Sequence, residues 1–262
     1  MNSLKNSIKV LGAYGTKAKG FGTSSFSLNK TNVIDAGNLL TGLEEKSADI
    51  KNIWITHSHL DHICDIAYII DNYFKNIKEP INIYALPQTI KAIQKHFLND
   101  LIWPDFSKIE LENGTGMCIQ YTEIEFDKEY SLSEEESIRA FKTDHTVPSC
   151  GYIYKKGKSA VLITADTYEI KNAINIINKD KTITSMVLEC SFPSSMEKLA
   201  KRSKHLTPKL LESMLQDLKR DDVNLYINHI KPLYLETITK EIHEYCSVWK
   251  PEILKDGEII KF

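Results

Sequence analysis

The stretch ITHSHLDHICD, residues 55–65, places three histidines and an aspartate within six consecutive positions, directly after the apolar run NIWI. Beyond it, ICDIAYIIDNYFKNI carries Ile63, Ile66, Ala67, Ile70 and Phe74 on one helical face. The polar cluster is therefore predicted to occupy a strand-to-helix loop, where a rigid sheet fixes the relative positions of side chains. Imidazole and carboxylate donors without thiolate suit Zn2+, Mn2+ or Fe2+. The alternation in HSHLDH sets His57 and His59 on one side and leaves Asp61 and His62 to reach a second position. One cluster cannot complete two metal shells. Further ligands must come from distant positions, and His145, Asp166 and His229 are the candidates.

Upstream, SIKVLGAYG and TSSFSLNKTNVIDAGN read as strands, with LNKTN as a hairpin turn. Downstream, INIYALP reads as a strand, PQTIKAIQKHFLND as a helix and WPDFSKIELENGTG as irregular chain. Residues 76–137 are expected to form an insert or lid within a single domain spanning 1–262. Regularity returns with two strands around the KKGK turn, then the helix YEIKNAINIINKD, the strand ITSMVLECSF and a helix near TPKLLESMLQDLKRDD. The strand VNLYINHIKP and the helix LETITKEIHEYCSVW follow. This alternation predicts an α/β protein with helices outside packed sheets. Polar residues recur at strand ends: His145 after RAFKTD, Asp166 after AVLITA, Glu189 after MVL, His229 after LYIN. One rim of the sheets can gather them all.

Composition narrows the function classes. In 262 residues, 33 Lys and Arg nearly cancel 35 Asp and Glu, so a net charge of −2 gives no general footprint for a nucleic-acid backbone. A small anionic substrate would have to be captured locally. Five scattered cysteines without a CxxC pair read as free thiols. The stretch MNSLKNSIKVLGAYG lacks an apolar core of signal-peptide length, and no segment approaches the roughly 18 apolar residues needed to cross a bilayer. A cytoplasmic protein without a membrane partner is expected.

HSHLDH, the separate His145, TADT at 164–167, the late His229 and the early VIDAG at 33–37 together resemble the metallo-β-lactamase fold superfamily. The resemblance implies a four-layer αβ/βα sandwich, two packed mixed β-sheets with outer helices, and a two-metal site along one edge. Residue by residue, it implies that His57, His59 and His145 hold one ion and that Asp61, His62 and His229 hold the other, with Asp166 bridging. The ions would be Zn2+, the donor set also admitting Mn2+ or Fe2+. Asp35 reads as a turn or supporting residue, and His96 and His243 fall in surface helices.

The later stretch MVLECSFPSSMEKLAKRSKHLTPKLLESML is similar to the phosphodiesterase branch, where a strand-end glutamate in E-x-[ST]-F precedes a histidine in H-[LS]-T. Here these are Glu189 and His205. The pairing implies that Glu189 fixes the tautomer of His205, which binds the phosphate or protonates the leaving oxygen. Thr207 reads as an N-cap ahead of Pro208. Within the branch, HSHLDHICDIAYII, ECSFPSS, KHLTPK and INHIKP resemble class II cyclic-nucleotide phosphodiesterases. The implied reaction converts 3',5'-cyclic nucleotides to nucleoside 5'-monophosphates through a hydroxide bridging the two ions, which Asp61 would orient or deprotonate, while His205 and Glu189 act at the 3' oxygen.

A homodimer is also implied. The base would stack on Tyr14, Phe21, Trp103 or Phe192, among which the sequence does not choose. Asp65 and Ile66 depart from the family pattern, which has a small residue there. The alternative is a tRNase Z-like RNA 3'-processing endonuclease, whose basic arm the locally acidic segment 76–137 does not match. A non-catalytic sensor is a third reading, opposed by the complete set of ligands.

Overall fold

Alternating apolar residues decide which way each strand faces, and the strand ends decide where the polar residues meet. The computed structural model describes residues 6–262. The first half runs β1 (Ser7–Gly12), β2 (Ser25–Ser27), β3 (Asn32–Ile34), α1 (Leu39–Leu43), β4 (Asn52–Trp54), α2 (Leu60–Tyr73), β5 (Ile81–Ala85), α3 (Pro87–His96) and β6 (Ile119–Glu123). The second half runs β7 (Glu129–Ser131), β8 (Glu136–Lys142), β9 (Cys150–Lys156), β10 (Ser159–Ile163), α4 (Lys171–Lys179), β11 (Ile183–Glu189), α5 (Glu197–Ser203), α6 (Pro208–Leu215), β12 (Asn224–Asn228), α7 (Leu235–Tyr245), β13 (Glu252–Ile253) and β14 (Ile259–Lys261).

Two seven-stranded mixed sheets result, in the orders β14-β1-β2-β3-β4-β5-β6 and β13-β12-β11-β10-β9-β8-β7. Each is antiparallel in one part and parallel in the other: β3 to β6 run parallel in the first, β10 to β13 in the second. The two-residue period of a strand sends neighbours to opposite faces. Ile53 and Ile55 thus pack outward under the first helical layer, while Trp54 enters the core between the sheets. In β11, Val187 joins that central core, while Met186 and Leu188 meet the helices on the far side. Three apolar layers between four layers of secondary structure make the αβ/βα sandwich that the motifs imply.

α2 buries Ile63, Ile66, Ala67, Ile69 and Ile70. Burying each isoleucine contributes about 1.5–3 kcal/mol, enough to anchor the helix whose first turn carries ligands. The expected loop holds for His57 and His59, but Asp61 and His62 already belong to α2, with His59 at its N-cap.

The segment 76–137 does not stand apart. It supplies β5 and β6 to one sheet and β7 to the other. The expected insert narrows to the irregular stretch 97–118, and even this buries Leu98, Phe106, Leu111 and Cys118 in the first core. At the other end of the chain, β14 pairs antiparallel with β1, closing the first sheet where the sequence reading marked no strand.

Candidate metal centre

Each proposed ligand leaves the end of a strand or the start of a helix, and several connections turn sharply there. Among the described residues, eight non-glycine positions have positive φ, and Asp35, Ala165, Lys204 and His229 are four of them. Residues with a Cβ disfavour this region, so the surrounding contacts must hold them there. Close approach adds a further constraint: a Cβ on Gly15 would lie 2.5 Å from the His229 carbonyl and 2.7 Å from its ring, and one on Gly37 would lie 2.1 Å from the Asp61 carbonyl. Only glycine permits these contacts.

The turns gather two sets of donors. His57, His59, His145 and Asp166 form one, and Asp61, His62 and His229 form the other. Asp166 lies between them. Its Oδ2 is 3.7 Å from His57 Nε2 and 3.8 Å from His145 Nε2, and its Oδ1 is 3.5 Å from His62 Nε2 and 3.1 Å from His229 Nε2. Asp61 Oδ2 completes the second set at 3.5 Å from His229 Nε2. Ligand atoms around a tetrahedral ion with bonds of about 2.1 Å lie about 3.4 Å apart, which these separations bracket.

The far side of each ring fixes its tautomer. His62 Nδ1 donates to Asp35 Oδ2 at 2.7 Å, and Asp35 also accepts from the Thr56 amide and hydroxyl. With its proton committed to Asp35, the Thr56 hydroxyl accepts from His57 Nδ1 at 3.0 Å. His145 Nδ1 donates to the Lys204 carbonyl at 3.0 Å. His229 Nδ1 donates to Ser191 Oγ at 2.9 Å, and Ser191 donates onward to Glu189 Oε2. Each acceptor leaves an Nε2 lone pair facing the centre, the arrangement that orients metal-binding imidazoles. His59 turns its Nδ1 inward, 3.0 Å from His57 Nε2 and 3.1 Å from His145 Nε2.

Three of these inward atoms, His62 Nε2, Asp166 Oδ1 and His229 Nε2, are buried without a hydrogen-bond partner. Orphaned buried polar atoms are costly, and three converging on one point fit a bound cation. The electrostatics agree. Burial holds His57 and His59 below the usual imidazole range and brings His145 down to about 4, which keeps all three as neutral donors. Burial opposes charge on His62 too, but Asp166, Asp35 and Asp61 outweigh it and push this ring well above its ordinary value, so a cation would take the place of a proton on its Nε2. Burial likewise opposes ionisation of Asp166, yet His229 and His62 hold it well below the carboxylate range.

Beside the centre, His205 Nδ1 donates to Glu189 Oε1 at 2.8 Å. His205 offers a ring nitrogen within 4.8 Å of donor atoms of Asp166 and His229. Glu189 is fully buried and also accepts from the Thr167 and Leu206 amides, tying the turn after Asp166 to the His205 connection. Thr207 caps α6 by accepting from the Leu210 amide. All nine proposed site residues thus lie at one rim, while His96 and His243 are exposed on helices elsewhere.

Thr56, Ser191 and Lys204 hold the ligands in place. Ser191 is the [ST] position of the E-x-[ST]-F motif, whereas the only signal for Thr56 and Lys204 is adjacency to His57 and His205. Asp65, the departure from the family pattern, has a structural use: its carboxylate accepts from the Leu40 amide at the start of α1, and its own amide donates to Ala36. Cys150 and Cys190 are buried, and burial raises both thiols, so neither reads as a nucleophile.

The profile of cAMP phosphodiesterases class-II matches residues 6–166. A 3',5'-cyclic-nucleotide phosphodiesterase 1 from Saccharomyces cerevisiae is 24% identical over 229 residues, covering 75% of this chain and 60% of the yeast protein. The crystal structure of unliganded yeast PDE1 superposes with a TM-score of 0.79 at 18% identity, covering 98% of this chain and 99% of that one. The human short-form tRNase Z superposes with a TM-score of 0.67 at 17% identity, covering 97% and 98% of the two chains.

Proposed function

Because the chain belongs to the class-II cAMP phosphodiesterase family, we propose that it hydrolyses 3',5'-cyclic nucleotides to nucleoside 5'-monophosphates at a two-metal centre. The observation that carries this reading is the Glu189–His205 pair, set within reach of Asp166 and His229. Two divalent ions, Zn2+ by donor preference, would lower the pKa of water and polarise the phosphoryl oxygens.

The chain's own residues supply the rest. Burial disfavours charge on His205, but Glu189 and then Asp166 outweigh it and raise the ring above its ordinary value. His205 therefore holds a proton on Nε2 for the departing 3' oxygen, while Glu189 stabilises the cation through Nδ1. Asp61, half-buried at the rim and held ionised by His62 and His229 against the effect of burial, orients the attacking water or takes its proton. Among the aromatics named above, Phe192 packs beside His205, with ring centroids 5.7 Å apart. Trp103 packs on Tyr68, and Tyr14 on Phe21, with Tyr14 bridged to Ile230 next to His229.

The RNA-processing alternative has less support. Residues 97–118 contain one lysine against four acidic residues and are anchored in the core by Leu98, Phe106, Leu111 and Cys118, unlike a projecting basic arm. Among the described residues, no helix is long and apolar enough to cross a membrane.

The test is a panel of purine and pyrimidine cyclic nucleotides given to metal-loaded protein, beside a precursor tRNA carrying a 3' trailer, with His205→Ala as control. Formation of 5'-monophosphate that disappears in the variant is expected. Trailer cleavage with cyclic nucleotides untouched would move the assignment to RNA processing.

A further inference from the structure

Lys204 joins the two loops that carry His145 and His205, and it does so at two points. Its backbone sits in the left-handed region, with φ 58° and ψ 50°, where it ends α5. This turn aims its carbonyl at His145 Nδ1, 3.0 Å away. Its ammonium reaches in the same direction and bonds both carboxylate oxygens of Asp144, at 2.8 and 2.7 Å. Adjacent residues 144 and 145 are thus gripped by the side chain and the main chain of one residue.

Asp144 is tied in a third direction. Its amide donates to Thr167 Oγ1 at 3.1 Å, and its carbonyl accepts from the Tyr168 amide at 2.8 Å. Three site-bearing connections therefore meet at this ion pair: those of His145, Asp166 and His205. Both partners are partly solvated, with side-chain exposures of 37% and 39%, so the pair contributes little to global stability. Its geometric effect is larger. A single hydrogen bond to a carbonyl lets an imidazole pivot, whereas a second bond one residue away fixes the loop beneath it.

We propose that Asp144 and Lys204 form a positioning clamp that sets His145 against His205, whose ring centroids lie 5.1 Å apart. The clamp keeps the first metal position and the leaving-group acid at one separation. The His205 half of this inference rests on the phosphodiesterase reading; the His145 half does not.

Four variants test it: Asp144→Asn, Lys204→Asn, Lys204→Arg and the charge swap Asp144→Lys with Lys204→Asp. Asparagine and aspartate tolerate the left-handed backbone, so the Lys204 changes remove or move charge without forcing the turn. Co2+ titration, read by the visible absorption of the bound ion, reports metal affinity whether or not any nucleotide is turned over. Both Asn variants are expected to weaken one of the two Co2+ sites by about tenfold, the lower end for a lost outer hydrogen-bond partner of a metal ligand. With cyclic nucleotide, kcat should fall by a similar factor while KM and the melting temperature stay near wild type. Lys204→Arg and the charge swap should recover most of both losses.

Unchanged Co2+ affinity in both Asn variants would overturn the clamp, as would a loss that neither Arg nor the swap recovers. A Co2+ response as described in a protein that turns over no cyclic nucleotide would sink the phosphodiesterase reading and leave the clamp on His145 standing.

Discussion

The two donor sets of the proposed metal centre share Asp166 but are built on opposite electrostatic plans. The His57, His59 and His145 half is three imidazoles, all driven toward the neutral form by burial, with the His57 and His145 side chains fully buried and His59 partly open to solvent. The Asp61, His62 and His229 half has equally buried imidazoles, His62 being 0% and His229 1% exposed, but it carries the carboxylates: Asp35, Asp61 and Asp166 all face His62. Neutral nitrogens bind a cation without requiring one, whereas converging carboxylates and orphaned donors leave a charge imbalance that a cation relieves. The first position should therefore exchange its ion with solvent more readily, and the second should keep it.

Removing the residue common to both halves should have the largest effect. Asp166→Ala is expected to strip both positions and lower kcat/KM by more than about 100-fold, beyond the range for outer hydrogen-bond partners; metal analysis with steady-state kinetics checks it. Retention of one ion per chain would show that the halves are independent. His205→Ala should lower kcat by about 100- to 10,000-fold, the usual span for general acid–base groups, with metal content unchanged.

Asp35→Asn sharpens the contrast by touching the His62 half directly and the His57 half only through Thr56. One ion should bind about 10- to 100-fold more weakly while the other weakens less, as measured by competitive titration with a chelator. Brief treatment of the wild-type protein with a chelator should remove one ion before the other, and a protein then carrying His62→Ala should lose the slowly released one. Thr207→Ala, outside both halves, should lower stability by about 1 kcal/mol in denaturant unfolding through loss of the α6 cap, with metal content unchanged.

Legibility in the sequence also differs between regions. HSHLDH could be read because a strand end and the first turn of a helix bring local residues together, so spacing alone carries the geometry. Glu189 and His205 stand sixteen positions apart, and resemblance rather than periodicity paired them. What spacing does not encode is the backbone conformation that aims the distant ligands. Asp35, Ala165, Lys204 and His229 adopt positive φ with no glycine to signal it.

The polar contacts of Ser191 were equally hidden, because they depend on β11 and β12 ending side by side. In the fold, α2, α3, α4, α6 and α7 and most of the longer strands are evident from periodicity, whereas the short α1 and α5 are not. The three-residue strands β2, β3 and β4 are too short to alternate and are legible from apolar runs and the LNKTN turn, whereas the two-residue β13 and three-residue β14 carry no such signal. Residues 76–137 read as an insert or lid because β5, β6 and β7 join different sheets across irregular chain, a long-range pairing that local pattern cannot show.

The proposed joining of two adjacent cation positions by Asp166 is tested most directly by anomalous diffraction from Zn2+-loaded crystals. Two peaks per chain about 3.5–4 Å apart, one among His57, His59 and His145 and the other among Asp61, His62 and His229, are the predicted result. A single peak under saturating metal, or two that do not share Asp166, would contradict it.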